Sequence, residues 1–228
     1  MQSAESQTHP PAKYVALTDQ LYDYITRDRS GFVDPLLRDL RAETESLGEA
    51  ARMLISPEQG DFLTLITRLL DARCAIEIGT FTGYSSICLA RGLTTSGRLF
   101  CFDINSEWTA IARRYWAAEG VADRIELQLG DAKEKLLTWE PPHPLDLVFI
   151  DADKPGYDAY YEILLPKMKP NGLFIFDNMV WGGRVIEQPL TDPDGLAIDR
   201  LNQKLAADSR VESVLLPVAD GLHFARKR

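Results

Sequence analysis

Leu145-Asp146-Leu147-Val148-Phe149-Ile150 runs directly into Asp151-Ala152-Asp153-Lys154, and this stretch decides the fold. A short, largely apolar run without alternation reads as a strand covered on both faces, as in a parallel sheet. Its oxygen-bearing end then falls at the carboxyl edge of that sheet, where open α/β folds bind their ligands. Leu173-Phe174-Ile175-Phe176 closes the same way, in Asp177-Asn178. Two such endings place hard oxygen ligands at one edge, so a divalent-cation site is expected there.

Outward from this pair, strand-like segments at 74–78, 99–102, 125–129, 145–150 and 172–176 alternate with helix-like segments at 83–91, 106–119, 132–137 and 157–168. Such alternation predicts an α/β fold with a Rossmann-like, doubly wound, mostly parallel sheet. The tail breaks the rule. A helix at 193–207 precedes strands at 211–216 and 222–225, and Pro217-Val218-Ala219-Asp220-Gly221 between them is too short for a crossover helix. The last two of seven predicted strands are therefore expected to be antiparallel neighbours. Ahead of the sheet, helical spacing marks extra N-terminal helices at 14–27 and 36–47. Ser56-Pro57-Glu58-Gln59 reads as a further helix start, with Ser56 as cap, Pro57 in the first turn and Gln59 completing a capping box. One domain is expected over 1–228, with 1–55 a helical segment and 56–228 the Rossmann-like core.

The chain has 228 residues, 45% of them hydrophobic and 26% charged, which suits a soluble globular protein rather than a disordered or collagen-like one. No apolar run approaches the roughly 20 residues that span a bilayer. Residues 1–13 are polar and carry two prolines, unlike a secretory signal, so a cytoplasmic protein without a membrane partner is expected. Cys74, Cys88 and Cys101 lie in apolar stretches without paired spacing and read as reduced core residues. A net charge of -9 argues against a nucleic-acid partner, since the only basic cluster is Arg226-Lys227-Arg228.

Between the first strand and its helix stands Glu77-Ile78-Gly79-Thr80-Phe81-Thr82-Gly83-Tyr84-Ser85. Glycines there let the backbone turn sharply and approach a ligand, and a helix start near Ser85 offers free N–H groups. Phe81 stands in the place of a middle glycine, so the dinucleotide fingerprint G-x-G-x-x-G is not met. Glu77 would repel a pyrophosphate and attract an ammonium, which favours a cofactor with a cationic amino-acid end over NAD. The alternative is a glycine turn needed only for packing. Asp103 closes the second strand about 20 residues beyond the turn, the spacing of an acid that accepts ribose hydroxyls, although Asp is also a common turn residue. Gly130-Asp131-Ala132 follows the third strand, where its backbone could face an adenine. Four consecutive strands thus end in acids: Asp103, Asp131, Asp151 and Asp177.

Asp151, Asp177 and Asn178 offer two carboxylates and an amide oxygen with no His or Cys nearby, a set suited to Mg²⁺, Mn²⁺ or Ca²⁺. Closing strands and capping helices is the alternative role for each. Asp153 is expected to cap a helix beginning near Pro155. Lys154 is either a solvated surface lysine or, beside a dication, a general base. In Val180-Trp181-Gly182-Gly183-Arg184 the paired glycines suggest a mobile loop. Trp181 is either the wall of an aromatic acceptor site or a buried structural residue.

Taken together, Ile55-Ser56-Pro57-Glu58-Gln59-Gly60, Glu77-Ile78-Gly79 with Thr82-Gly83-Tyr84-Ser85, Phe149-Ile150-Asp151-Ala152-Asp153-Lys154, Asp177-Asn178 with Trp181, and Leu216-Pro217-Val218-Ala219-Asp220-Gly221-Leu222 resemble the cation-dependent O-methyltransferases that use S-adenosylmethionine. That group holds caffeoyl-CoA, catechol and related bacterial small-molecule enzymes. The resemblance implies S-adenosylmethionine and Mg²⁺ (or Mn²⁺ or Ca²⁺) as cofactors. It also implies in-line methyl transfer to a small molecule with vicinal hydroxyls, a catechol-type aromatic or a hydroxylated natural-product intermediate. By position, Glu77 would bind the methionine amine, with Gly79, Thr80 and Ser85 lining the methionyl part and Ile55 near the same end. Asp103 would hold the ribose and Asp131 and Ala132 the adenine edge. Asp151, Asp177 and Asn178 match the metal ligands, Asp151 also touching the cofactor, while Lys154 matches the base and Trp181 the acceptor wall. Family members usually form homodimers, and their N-terminal helices shape the acceptor site. Asp61 replaces a common Gln, and the segment 184–194 differs from the plant enzymes' longer acceptor loop, which argues against a CoA thioester. Rival readings are a non-aromatic or carrier-bound hydroxyl acceptor, a nicotinamide-dependent dehydrogenase, a metal-dependent phosphoesterase and a non-catalytic binding module on the same fold.

Overall fold

The computed structural model describes residues 15–29 and 34–228. Residues 15–29 belong to a separate unit, taken by itself. Helix α1 (Asp19–Asp23) starts where the Thr18 hydroxyl accepts the Leu21 N–H at 3.3 Å, and π-helical turns continue it over Tyr24–Arg29. The predicted helix at 14–27 thus begins at that cap; Tyr14 lies outside the described residues.

In the second unit, the Asp34 side chain caps α2 (Pro35–Glu45) by accepting the Leu37 N–H. A 3₁₀ turn, Gly48–Met53, leads to α3 (Pro57–Leu69). Alternation then follows as predicted: β1 (Cys74–Ile78), α4 (Tyr84–Gly92), β2 (Arg98–Asp103), α5 (Ser106–Glu119), β3 (Ile125–Leu129), α6 (Ala132–Thr138), β4 (Leu145–Ile150), α7 (Tyr157–Leu164), β5 (Met168–Phe176), α8 (Pro193–Ala207), β6 (Val211–Leu216) and β7 (Leu222–Lys227). Among the described residues no helix is long and apolar enough to cross a membrane.

The seven strands form one sheet in the order β3-β2-β1-β4-β5-β7-β6. The first five are parallel, and β7 inserts antiparallel to both β5 and β6. Strand order reverses between β1 and β4, which opens a crevice at their carboxyl ends. Successive side chains point to opposite faces, so each strand feeds two cores. Ala75, Leu99, Leu147, Phe149 and Ile175 pack with Leu40 of α2, Leu63 of α3, Ile87 of α4 and Trp116 of α5. Ile76, Phe102, Val148, Ile150 and Phe174 pack with Leu136 of α6, Tyr161 of α7 and Leu201 of α8. The three cysteines are free and buried.

Two local expectations fail for identifiable reasons. β5 starts at Met168, four residues early, because the ladder jumps from Leu145↔Met168 to Leu147↔Leu173 and the bulge absorbs Pro170-Asn171-Gly172. Pro170 has no N–H to give, and Asn171 takes φ 66° there. The capping box at α3 is also absent. Ser56 holds the cap position with extended backbone, yet its hydroxyl makes no helix hydrogen bond and Gln59 points elsewhere.

The crevice depends on Gly79, at φ 90°, where an added Cβ would lie 2.6 Å from the Asp151 carbonyl carbon and nearer still to its oxygen. Gly120 has a similar φ of 76° but open space around it. Gly79→Ala should therefore cost about 3 kcal/mol or more, and Gly120→Ala only the left-handed strain of about 1–2 kcal/mol. Urea denaturation of both variants checks this, and equal losses would show that the close approach is not what Gly79 serves.

Candidate functional site

Around the end of β1 the chain is tied by backbone hydrogen bonds to both neighbouring strands. Gly79 N–H donates to the Phe102 carbonyl at 2.9 Å, and Asp151 N–H donates to the Ile78 carbonyl at 2.8 Å. Asp103 tightens the turn further. Its Oδ2 accepts the N–H groups of Thr80 (2.9 Å) and Phe81 (2.8 Å), while Oδ1 accepts that of Asn105 (2.7 Å). A carboxylate has about four acceptor sites, so these amides fill most of Asp103's capacity and make it an organiser of the turn. Gly83, at φ 87°, then lets α4 start beside Ala112.

Glu77 was expected as a carboxylate at an open strand end. Pleating instead turns it toward α4, where it is 0% exposed. Its Oε2 accepts from Ser86 Oγ and, at 3.3 Å, from Cys101 Sγ, while Oε1 is buried without a hydrogen-bond donor among the described residues. Burial pushes its carboxyl up to about 7, against the lowering effect of these partners. Thr80 and Ser85 are buried at the same turn. Ile55 is buried just ahead of α3, its carbonyl accepting from Arg41 Nη2 at 2.7 Å. Asp131 caps α6 by accepting the Glu134 N–H at 2.9 Å, and Ala132 opens that helix.

The acid-ended strands β4 and β5 meet beside this turn, where Asp177 N–H donates to the Ile150 carbonyl at 3.0 Å. Two of the three expected ligands, Asp151 and Asn178, bond one cation, the ammonium of Lys154, whereas the Asp177 carboxylate takes other partners. Lys154 Nζ donates to Asp151 Oδ1 (3.1 Å), Asn178 Oδ1 (2.6 Å) and the Tyr157 hydroxyl (2.6 Å), so all three of its N–H groups are used. With 8% exposure, Lys154 is not a solvated surface lysine. Asp177 is 3% exposed; Oδ1 accepts the Asn178 N–H at 2.6 Å and Oδ2 accepts Gln59 Nε2 at 2.7 Å. Burial, then the charge of Asp151, holds the Asp177 carboxyl well above the usual carboxylate range. Asn178 reaches its place with φ 57°, a left-handed conformation that is rare outside glycine and is found at constrained sites. Among the described residues no cluster of three or more His, Cys or acidic side chains is placed to hold a metal.

Asp153 sits before the Lys154–Gly156 turn but caps nothing with its side chain; its Oδ1 accepts the Tyr160 hydroxyl at 2.6 Å. The glycines at 182 and 183 supply positive φ (60° and 84°) within a tight 3₁₀ turn, Trp181–Ile186. Trp181 is partly buried and held on three sides. Its Nε1 donates to Asp192 Oδ2, the Arg184 guanidinium stacks 4.7 Å from a ring centroid, and Lys154 Nζ lies 5.8 Å from one. Two participants escaped sequence reasoning. Tyr157 offered only its spacing from Lys154, whereas Gln59 shares the buried face of α3 with Leu63 and Thr67, a polar residue where an apolar one was due.

The chain matches the family model described as O-methyltransferase over residues 27–228. It is 36% identical over 204 residues to the probable caffeoyl-CoA O-methyltransferase 2 of Dictyostelium discoideum, covering 88% of each chain. To the catechol O-methyltransferase of Niastella koreensis it is 34% identical over 212 residues, covering 89% of this chain and 95% of that one. Among solved structures, the O-methyltransferase from Bacillus cereus in complex with SAH superposes with a TM-score of 0.84 at 33% identity, covering 91% of this chain and 97% of that one. The chain belongs to the O-methyltransferase family.

Glu77 also has a stability consequence. Its folded-state pKa, about 7, lies above the ordinary 4.5, so the fold binds a proton that the unfolded chain releases. This contribution is present below pH 4.5 and is lost as pH rises through about 7. Relative to wild type, Glu77→Gln should gain roughly 3 kcal/mol between pH 5 and pH 8, at 1.36 kcal/mol per pKa unit. Urea denaturation at the two pH values measures it; a difference independent of pH would mean that Glu77 is ionised throughout.

Proposed function

We propose that the chain transfers the methyl group of S-adenosylmethionine to one oxygen of a small molecule with vicinal hydroxyls, a catechol-type aromatic or a hydroxylated natural-product intermediate. A divalent cation, Mg²⁺ or in its place Mn²⁺ or Ca²⁺, would be held by Asp151, Asp177 and Asn178. The observation that carries this reading is the Lys154 ammonium lodged between Asp151 Oδ1 and Asn178 Oδ1, a positive charge already received by the oxygen set at the sheet edge. Two carboxylates and an amide oxygen suit a hard cation. For the cofactor, support lies in the adjoining turn: Glu77 Oε1 is a buried acceptor without a donor, and buried polar atoms are rarely left so. Methionyl contacts are proposed for Ile55, Glu77, Gly79, Thr80 and Ser85, ribose contacts for Asp103 and adenine contacts for Asp131 and Ala132. A relative crystallised with SAH fits the same reading.

A bound dication would supply Lewis acidity, lowering the pKa of a hydroxyl it polarises. With a dication bound beside it, the Lys154 ammonium would lose a proton to solvent, and the neutral amine, near Tyr157 and Asn178, would take that hydroxyl's proton and then balance the oxyanion. Trp181, pinned by Asp192, gives a planar acceptor one fixed wall. Holding the acceptor oxygen in line with the sulfonium methyl is then most of the protein's task. Charge is neutralised as the methyl moves, so the buried setting of Lys154 and Asp177 favours transfer by excluding water.

Purified protein with labelled S-adenosylmethionine and a catechol should transfer methyl only when Mg²⁺ is added; full activity after exhaustive chelation rules out the cation. Asp151→Ala should abolish turnover while leaving the fold intact. Lys154→Ala should lower kcat by roughly 100-fold or more with little change in cofactor affinity. An unaltered kcat in that variant would leave Lys154 without a role in proton transfer.

A further inference from the structure

Gln59 stands in the first turn of α3, 118 residues from Asp177 in the chain, and is 1% exposed. Its side chain does not serve its own helix. Nε2 donates to Asp177 Oδ2 at 2.7 Å. Among the described residues the one other donor to that carboxylate is the Asn178 N–H, on Oδ1 at 2.6 Å. Between them the two donors hold the plane of the carboxylate, one anchored in β5's own continuation and the other in a helix on the opposite side. Without Gln59, Asp177 would be free to turn about its side-chain bonds, held only by its neighbour's amide. Burying an amide of this length has a cost in side-chain entropy, which its hydrogen bond to Asp177 must offset.

We infer that Gln59 is a positioning residue of the cation site, its amide fixing the Asp177 carboxylate in the orientation that ligates the metal. This rests on the reading of Asp151, Asp177 and Asn178 as the cation's ligands. Outer partners of this kind orient metal ligands, and their loss weakens metal binding about 10- to 100-fold. The geometry also gives α3 a double attachment. Ile55, just ahead of the helix, is held through Arg41, and the first turn is held through Asp177, so this segment is joined to one of the proposed cation ligands.

Gln59→Met keeps the side chain's length and apolar contacts and removes the donor. Titration of wild type and variant with Mn²⁺, following free Mn²⁺ by electron paramagnetic resonance, should show binding weakened about 10- to 100-fold in the variant. S-adenosylhomocysteine affinity should stay at its wild-type value, and kcat should recover when Mn²⁺ is raised to saturation. Unchanged Mn²⁺ affinity in a folded variant overturns the inference. A matching fall in S-adenosylhomocysteine affinity, or a kcat that saturating Mn²⁺ does not restore, also overturns it by showing general damage to the site. Should Gln59→Met fail to fold, Gln59→Asn, one methylene too short to reach, is read by the same criteria. Wild-type protein that binds no Mn²⁺ would defeat the cation reading itself, a result distinct from a tight wild type with an equally tight variant.

Discussion

Where β1 and β4 end, the backbone of Gly79 comes so close to the carbonyl of Asp151 that no side chain fits between them. The rest of the site follows from that contact. It exists because strand order reverses between these two strands, sending the chain away to β2 and β3 on one side and to β5 on the other. The glycine turn and the first proposed oxygen ligand are therefore adjacent in space, though 72 residues apart in sequence. Asp103 then secures the turn through two of its amides, and Asp177 extends the oxygen set from the next strand. A cofactor in the turn and an acceptor at the oxygen set would face each other across a single backbone contact.

Electrostatics explain why the second half of the crevice calls for positive charge. Asp151 and Asp177 share a partly enclosed space, and burial together with their mutual repulsion raises the Asp177 carboxyl. Lys154 answers that demand with three hydrogen bonds, one of them from Nζ to the hydroxyl of fully buried Tyr157. Tyr157 in turn leans toward the Asp177 carbonyl at 3.3 Å. The ammonium is thus held by the same oxygens that suit a dication, which couples the position of the proposed base to the occupancy of the proposed metal site.

Strand endings and alternation were legible in the sequence because they depend on local pattern: apolar runs stopped by Asp, and a tail too short for a crossover. Side-chain direction was less so. Glu77 follows the pleat into the α4 face, a choice that depends on which face the helix covers. Asp153 and Gln59 both carried plausible capping signatures, and both bond a partner from another part of the chain, Tyr160 and Asp177. Local signatures rank the hydrogen bonds a residue makes with its own turn, whereas burial rewards whatever donor or acceptor the fold brings near. The loop glycines at 182 and 183 were similarly ambiguous, since positive φ in a tight turn and loop mobility share one residue type.

The central claim is that one crevice holds a divalent cation on Asp151, Asp177 and Asn178 beside a methyl donor in the glycine turn. A crystal of the protein grown with S-adenosylhomocysteine and Mn²⁺ tests it most directly through anomalous scattering. The account predicts a single strong peak at ordinary oxygen-ligand distance, about 2.0–2.3 Å, from all three side chains, with the nucleoside product lying against Gly79 and Asp103. Product bound in the turn with no peak among those oxygens, and Lys154 still bridging Asp151 and Asn178, would contradict it.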